Sequence, residues 1–579
     1  MTGNRVRVVA IVAALLVLVA CNPLQVDQSG VYTSSSPQHI TGKVDVPAGD
    51  TLTSVTVNGV AATINGNTYA ADIPLDGTTV LNAVLVEAHV GSQTFRERRT
   101  VVYADGTHAT LAPLDAKVPD ATSLRLNDSA LAKLAPAISA ATPVAPTDVI
   151  ASGTVLYHVG CPSLPCPSTF IQAQVSGPPT LGARTVKANG QTFLLAGEVG
   201  VADVQIPVHL TVKLGGSISQ CDGSISLGQL RATGTYLVGP DPGNPDAIDV
   251  NQAAALTGDS TNPSFDEPCL GPLVASTSGA GDQMVDVVEQ AAATGLGDPD
   301  GSGPADARLA DGIESVLTGL TSHGPLAGAD GISVDSAHSS ARIDAGGLAL
   351  QLATGYTAAN PAPGAPNLSH SLSWGEVVPL VSDTTPHGLA FDYAVGGSVS
   401  GLDQLLAADT ERGRWNAEVD DPGIGESLGL GPVRLRLRPE IAPVLRPDQP
   451  GATAFGELAF RGYRMTFVGE ADGLTKLEVV LDVDTLVELK QRAGGNLGFD
   501  VALPDPAATT VTVTYNPGKL NAGTVASTVR GGIQGVFTQL PRTLPAFPVP
   551  GVTGTNQQLV EVARFGPNFV LYTNLVPTP

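Results

Sequence analysis

Read from the N-terminus, the hydrophobic pattern changes character several times, and each change predicts an element. Residues 8–20 are an apolar run with no charge, preceded by Arg5 and Arg7. That is the layout of an export signal, and the run is too short for a spanning helix, which needs about 20 apolar residues. Residues 39–110 then read as short strands. Val55 and Val57 lead into Asn58-Gly59, and Thr63-Ile64 into Asn65-Gly66. Asn-Gly between alternating segments is a hairpin signal, because both residues tolerate positive φ.

From residue 123 the strands lengthen. A short strand meets Asn127-Asp128-Ser129, a helix cap, and Leu131, Leu134 and Ile138 follow at helical spacing. Val204, Ile206, Val208, Leu210, Val212 and Leu214 hold period two, predicting a long strand with one buried face. Two helical stripes come next, one through Met284, Val285, Val288 and Ala292 and the other through Leu309, Ile313, Val316, Leu317 and Leu320. After a Pro/Gly/Ala-rich linker at 356–370 the order repeats. A strand (Tyr393, Val395) is followed by a helix (Val399, Leu402, Leu405, Leu406). Alternating strands then run between 433 and 503, before a helix striped by Val525, Val529, Ile533, Val536, Phe537 and Leu540. An apolar helical stripe needs a sheet to cover it. The expected fold is therefore mostly β with long helices (α+β). An N-terminal β-sandwich module (39–110) precedes two elongated barrels (120–355 and 371–579), each a curved antiparallel sheet wrapped on a long helix.

Composition and charge narrow the function. The chain has 579 residues, 66 Gly, 45 Pro and a formal net charge of −24. Turn-rich composition suits β structure. The acidic balance excludes nucleic acid as a partner, since phosphate contacts need clustered Lys and Arg. The 42% hydrophobic content is enough for substantial cores.

The apolar run ends in Leu18-Val19-Ala20-Cys21, which resembles the lipobox of bacterial lipoproteins. The resemblance implies removal of 1–20 and a diacylglycerol thioether with acylation on Cys21, followed by a polar tether at 21–38. Asn22, where an Asp would favour the inner membrane, points to a lipid-anchored protein of the outer membrane in the bacterial envelope. Residues 39–110 resemble the immunoglobulin-like modules of bacterial surface proteins. The remaining Cys161, Cys166, Cys221 and Cys269 are even in number, as expected of disulfides in an oxidising compartment. Cys161–Cys166 and Cys221–Cys269 are the favoured pairs of three connectivities. A zinc site is disfavoured because no C-x-x-C spacing occurs.

Several segments together resemble the tubular lipid-binding superfamily, which includes bactericidal/permeability-increasing, lipopolysaccharide-binding and cholesteryl ester transfer proteins. They are SLRLNDSALAKLAP (123–136), ISQCDGSISLG, the 305–320 helix, SVSGLDQLLAAD (398–409), RLRLRPEIAPVL (434–445), LPAFPVPGV and PNFVLYTNLV, in that order. The resemblance covers 120–576 and implies two end-to-end barrels with apolar lipid pockets. Aromatic content of only 4%, a long acidic 239–281 loop and the lack of a basic tip depart from that family.

Enzyme chemistry is suggested and then weakened. Gly425-Glu426-Ser427-Leu428-Gly429 matches G-x-S-x-G, but the last histidine, His387, precedes the serine, which reverses the order that motif requires. Asp298, Asp300, Ser302 and Asp306 match part of a calcium loop, yet position twelve is Leu309 where a bidentate Glu belongs. The expectation is a non-enzymatic lipid-binding or lipid-transfer lipoprotein without cofactors, with a phospholipid or lipid A-type ligand. Leu131, Leu134, Ile313, Leu317, Leu402, Leu405, Val529, Ile533 and Phe537 are the candidate lining. The alternative is a surface-exposed structural or partner-binding lipoprotein with fully packed barrels.

Overall fold

The structure is a computed structural model that describes residues 22–578 apart from 143, 161–168, 215, 255, 267–278, 297–307, 327–328, 376–377, 379–381, 447–454, 492–496, 545–546, 548, 553 and 567. Cys21, Cys161, Cys166, Cys269, Asp298, Asp300, Ser302 and Asp306 lie outside the described residues.

The N-terminal module is a two-sheet sandwich. Strands Leu24–Val26, Gln38–Val44, Thr68–Ile73 and Thr63–Asn65 make one sheet; Val31–Thr33, Gln93–Tyr103, Leu81–Val90, Leu52–Val57 and Val60–Ala61 make the other. Val57 pairs with Val60 across Asn58 and Gly59, both at positive φ, as the Asn-Gly signal predicts. The second hairpin is shifted by one residue. Asn65 pairs with Thr68, so Gly66 and Asn67 form the turn. The expected tether at 21–38 is corrected: two of the module's strands lie inside it. Leu24 and Val26 alternate with exposed Gln25 and are buried in the sandwich core, so their burial draws the segment into the sheet.

Beyond the sandwich, one seven-stranded sheet unites the two halves of the chain. Its order is His323–Pro325, Ile332–Asp344, Gly347–Ala358, Val118–Asn127, Tyr393–Gly397, Asn568–Pro577 and Thr555–Phe565. The seam is the antiparallel pairing of Val118–Asn127 with Tyr393–Gly397, Leu124 opposite Val395. Each half leaves this sheet through a helix, builds its own curled sheet, and returns. The first curled sheet has eight strands within 155–266 and is dominated by Leu194–Leu214 paired with Ser217–Pro240. The second has seven within 417–515. Val204, Ile206, Val208, Leu210 and Val212 all face the core, as their period-two spacing requires.

Seven helices occur among the described residues: α1 Asp128–Ala141, α2 Pro146–Val149, α3 Ala280–Leu296, α4 Arg308–Thr318, α5 Val399–Glu411, α6 Ile424–Ser427 and α7 Ala522–Phe537. Here the expected architecture is overturned. The chain is 52% strand and 16% helix, the sheets are curled half-barrels, and among the described residues no long helix is packed within a barrel. Helix lengths run only from 4 to 17 residues. The physical reason is the cover: a half-barrel with an open side is closed by the central sheet together with several short helices, so no single helix has to span it. The stripe read through Leu540 stops being helical at Phe537.

Helix α5 is enclosed on all sides. Every residue from Val399 to Thr410 is buried, including Asp403, Gln404, Asp409 and Thr410. Asp403 and Gln404 are matched to polar groups of surrounding segments. Asp403 accepts from the Leu445 N–H and the Trp374 indole, each at 2.7 Å. Gln404 accepts from the Tyr356 N–H at 3.2 Å and donates to the Ala116 carbonyl at 2.7 Å. One helix thereby ties strands of both halves to the segment leaving the sandwich. Replacing Gln404 by Ala orphans the Tyr356 N–H and the Ala116 carbonyl at about 1–3 kcal/mol each. We expect Gln404→Ala to lose about 3–5 kcal/mol in denaturant unfolding; a loss below about 1 kcal/mol would show that water replaces the amide.

Asp409, near the end of α5, faces Arg414 at 3.2 Å in a site that leaves its side chain 4% exposed. Burial pushes its carboxyl up to about 6, against the pull of Arg414. With the folded value above the unfolded one of about 3.9, its contribution to stability is complete below pH ~4 and is lost as pH rises through 6. About two pKa units correspond to ~3 kcal/mol. Asp409→Asn should flatten this slope between pH 4 and 7, read as the wild-type minus variant unfolding free energy across that range; a difference independent of pH would refute the assignment.

Candidate functional site

The nine candidate lining residues come together in a single apolar cluster that runs through both halves. Leu131 and Leu134 project from α1, and Ile313 and Leu317 from α4. The two helices touch closely, since a Cβ on Gly312 would stand 2.1 Å from Thr142 Oγ1. Leu402 and Leu405 belong to the enclosed α5. Val529, Ile533 and Phe537 line the buried face of α7. Phe537 meets the rings of Phe460 at 5.5 Å and Tyr463 at 6.3 Å, edge to face. All nine are 0–3% exposed. In this state the stripes are packed core, and an acyl chain can reach them only if a covering helix moves.

Helix α7 is the cover least able to stand alone. It carries Gly523, Gly531, Gly532 and Gly535 in 16 residues, each costing about 1 kcal/mol of helix propensity relative to Ala. Two of these glycines have a packing reason. A Cβ on Gly532 would fall 2.4 Å from Ile424 Cγ1, and one on Gly535 2.9 Å from Pro422 Cβ. The helix therefore rides directly on the turn that holds α6. Its polar face is held at few points, Arg530 donating to the Thr509 carbonyl at 2.9 Å and Gln534 to the Pro504 carbonyl at 3.1 Å.

That same turn contains G-x-S-x-G. Ser427 is the last residue of α6, and its hydroxyl donates to the Gly423 carbonyl at 2.8 Å. A nucleophile elbow instead places the serine in the bend between strand and helix. His387 lies elsewhere, exposed and 2.8 Å from Glu561. Cys221 sits half-buried on the Ser217–Pro240 strand opposite Leu210.

Asp246, His323 and Asp335 each bring one potential ligand atom within 4.8 Å of the others. Lys117 already supplies a cation there, its Nζ 3.1 Å from Asp246 and 3.0 Å from Asp335. His323 is hydrogen-bonded through both ring nitrogens, to Asp335 at 2.7 Å and Thr321 at 2.9 Å. The group is satisfied as an ion-pair network.

Among the described residues, cavities open to solvent include three. One of about 440 Å³ lies between α2 and α3, lined by Ile150, Ala151, Val287 and Ala291. A second, about 630 Å³, is acidic, with Asp420, Asp421, Glu426 and Glu470. The third, about 480 Å³, separates the sandwich from the second half and is lined by residues 92–96 and by Val513, Tyr515 and Leu520. None of the nine predicted residues lines any of the three.

Sequence reasoning missed the junction beside the third cavity. Glu97 accepts from Arg464 at 2.6 Å, and Arg98 pairs with Asp482. Glu440 accepts from the Thr100 N–H at 3.0 Å and the Gly30 N–H at 3.3 Å, with Arg99 3.6 Å away. Burial pushes the Glu440 carboxyl up while Arg99 and Arg464 pull it down; burial lowers Arg98 to about 10. The only signal was Arg-Glu-Arg-Arg at 96–99 inside an otherwise strand-like segment.

No helix among the described residues is long and apolar enough to cross a membrane. No protein-family model matches the chain, and no curated protein does. Among solved structures, the crystal structure of lipopolysaccharide binding protein is similar over 80% of this chain and 100% of that one, at 10% identity and a TM-score of 0.39. That of the exotype rhamnogalacturonan lyase YesX aligns over 96% of this chain and 90% of that one, at 9% identity and a TM-score of 0.10. Both likenesses are too partial to carry a function, which is drawn below from this chain's own geometry.

Proposed function

We propose that the protein is a non-enzymatic lipid-binding lipoprotein of the bacterial envelope, anchored through Cys21, whose ligand is a phospholipid or a lipid A-type molecule. The observation that carries this reading is the continuous apolar interior of the two half-barrels, closed over the second half by the glycine-rich α7. An acyl chain entering that interior leaves water at about 0.8 kcal/mol per methylene. Displacing a helix of low intrinsic propensity costs less than opening a sheet, whose strands share backbone hydrogen bonds with neighbours. The resting state is then closed, and ligand enters between the helix stripe and the sheet, where Val529, Ile533 and Phe537 line it.

The packing of all nine candidate residues favours a second reading, a structural or partner-binding lipoprotein whose half-barrels stay filled. A paired measurement separates the two. Under the lipid-binding reading, phospholipid or lipid A at 100 times its Kd stabilises the folded protein by about 2.7 kcal/mol, and Ile533→Asn reduces extractable lipid. Under the packed reading, added lipid leaves the melting temperature unchanged, nothing is extracted, and Ile533→Asn costs only stability.

The anchor has its own test: Cys21→Ser should release the protein from the membrane fraction or block its processing. The favoured disulfides, Cys161–Cys166 and Cys221–Cys269, predict no alkylation of these four thiols in unfolded, unreduced protein. Reducing a bridge between Cys221 and Cys269 should then cost about 2–5 kcal/mol. Labelled Cys221 would exclude its pairing.

A further inference from the structure

Asn22 donates to the Arg96 carbonyl and to the Glu97 carboxylate, each at 3.0 Å, and its own side-chain oxygen accepts from the Leu24 N–H at 3.1 Å. Glu97 is held in turn by Arg464 of the second half. Pro23, the next residue, lines the groove of about 480 Å³ between the sandwich and the second half. From Leu24 the chain is already in a strand. Consecutive Cα atoms stand about 3.8 Å apart, so whatever Cys21 carries emerges within about 8 Å of the groove. The two residues that follow the attachment point, Asn22 and Pro23, are themselves held against the body.

The groove suits an apolar chain. Phe95, Val513, Tyr515 and Leu520 are half-buried along it, while Arg96 and Lys519 are exposed at its polar margin. Lys519 has no ion-pair partner among the described residues. We propose that this groove holds an acyl chain of the lipid carried by Cys21. The protein would then lie against its membrane with the junction of sandwich and second half facing the bilayer. This rests on the lipoprotein reading and goes beyond it: the anchor becomes part of the folded structure and sets an orientation. The occupant is the chain's own lipid because its point of attachment immediately precedes Asn22, which is hydrogen-bonded beside the groove, whereas a free lipid would have to enter past it.

The test uses the full chain expressed in bacteria fed a diazirine-bearing fatty acid and irradiated in isolated membranes. The mass of the N-terminal peptide reports lipid on Cys21, and peptide mapping locates crosslinks. Crosslinks should fall on residues 92–96 and 513–522. In Leu520→Asp they should drop about tenfold, equivalent to ~1.4 kcal/mol, with lipidation of Cys21 unchanged and the melting temperature close to wild type. Lipid on Cys21 with crosslinks only elsewhere overturns the proposal and leaves the lipoprotein reading standing. An N-terminal peptide without lipid removes both. Crosslinks at the same peptides in unprocessed Cys21→Ser protein identify a free membrane lipid as occupant and overturn the assignment to the anchor.

Discussion

The burial of helix α5 is the constraint on which the rest of the structure depends. A helix enclosed on every side is ordinarily apolar all round, yet this one takes Asp403, Gln404 and Asp409 into the interior. Each must find partners, because an unpaired buried polar group costs more than a formed hydrogen bond contributes. For Asp403 and Gln404 the partners are backbone groups at 116, 356 and 445 and the Trp374 indole, while Asp409 faces Arg414. They belong to the exit from the sandwich, the end of the first half, and the second half. The three parts of the chain can therefore satisfy this helix only in one mutual arrangement.

The junction of the sandwich with the second half follows the same logic with charges. Glu97, Arg98 and Arg99 meet Arg464, Asp482 and Glu440 where water is largely excluded. Buried ion pairs add little net stability but cost several kcal/mol when one partner is missing. They act as a specificity device: the sandwich cannot slide or swivel without leaving a charge unpaired. The residues that follow Cys21 are caught in this network through Asn22. A segment that composition suggests is a tether is thus held against the sandwich.

The packed state of the candidate pocket bears on mechanism. A cavity held permanently open would leave the lining aromatics and aliphatics without contacts on one side. Instead Phe537 closes on Phe460 and Tyr463, and the glycines of α7 let it approach the turn at 422–424 at the expense of its own helix propensity. Such a helix is stable through its packing and not through its own propensity, which makes it the cover least costly to move.

What the sequence determined by itself was local. Period two marked Val204 to Val212 as one buried strand face, Asn58-Gly59 marked a hairpin, and the stripes of α1, α4 and α7 marked which side of each helix is inside. These features are legible because they depend on φ/ψ preference and on spacing within a few turns. Periodicity says which face is buried and is silent on what buries it. The pairing of Val118–Asn127 with Tyr393–Gly397 joins residues some 270 positions apart. It decided that one sheet unites the halves and that short helices suffice as covers. Asp403, Gln404 and Glu97 carry no sequence signal of burial, which depends on partners on distant segments. Leu131 or Ile533 looks the same in sequence whether it lines a pocket or fills a core, since both need an apolar side chain. Only the tertiary structure, by setting the distance to the opposite wall, distinguishes the two.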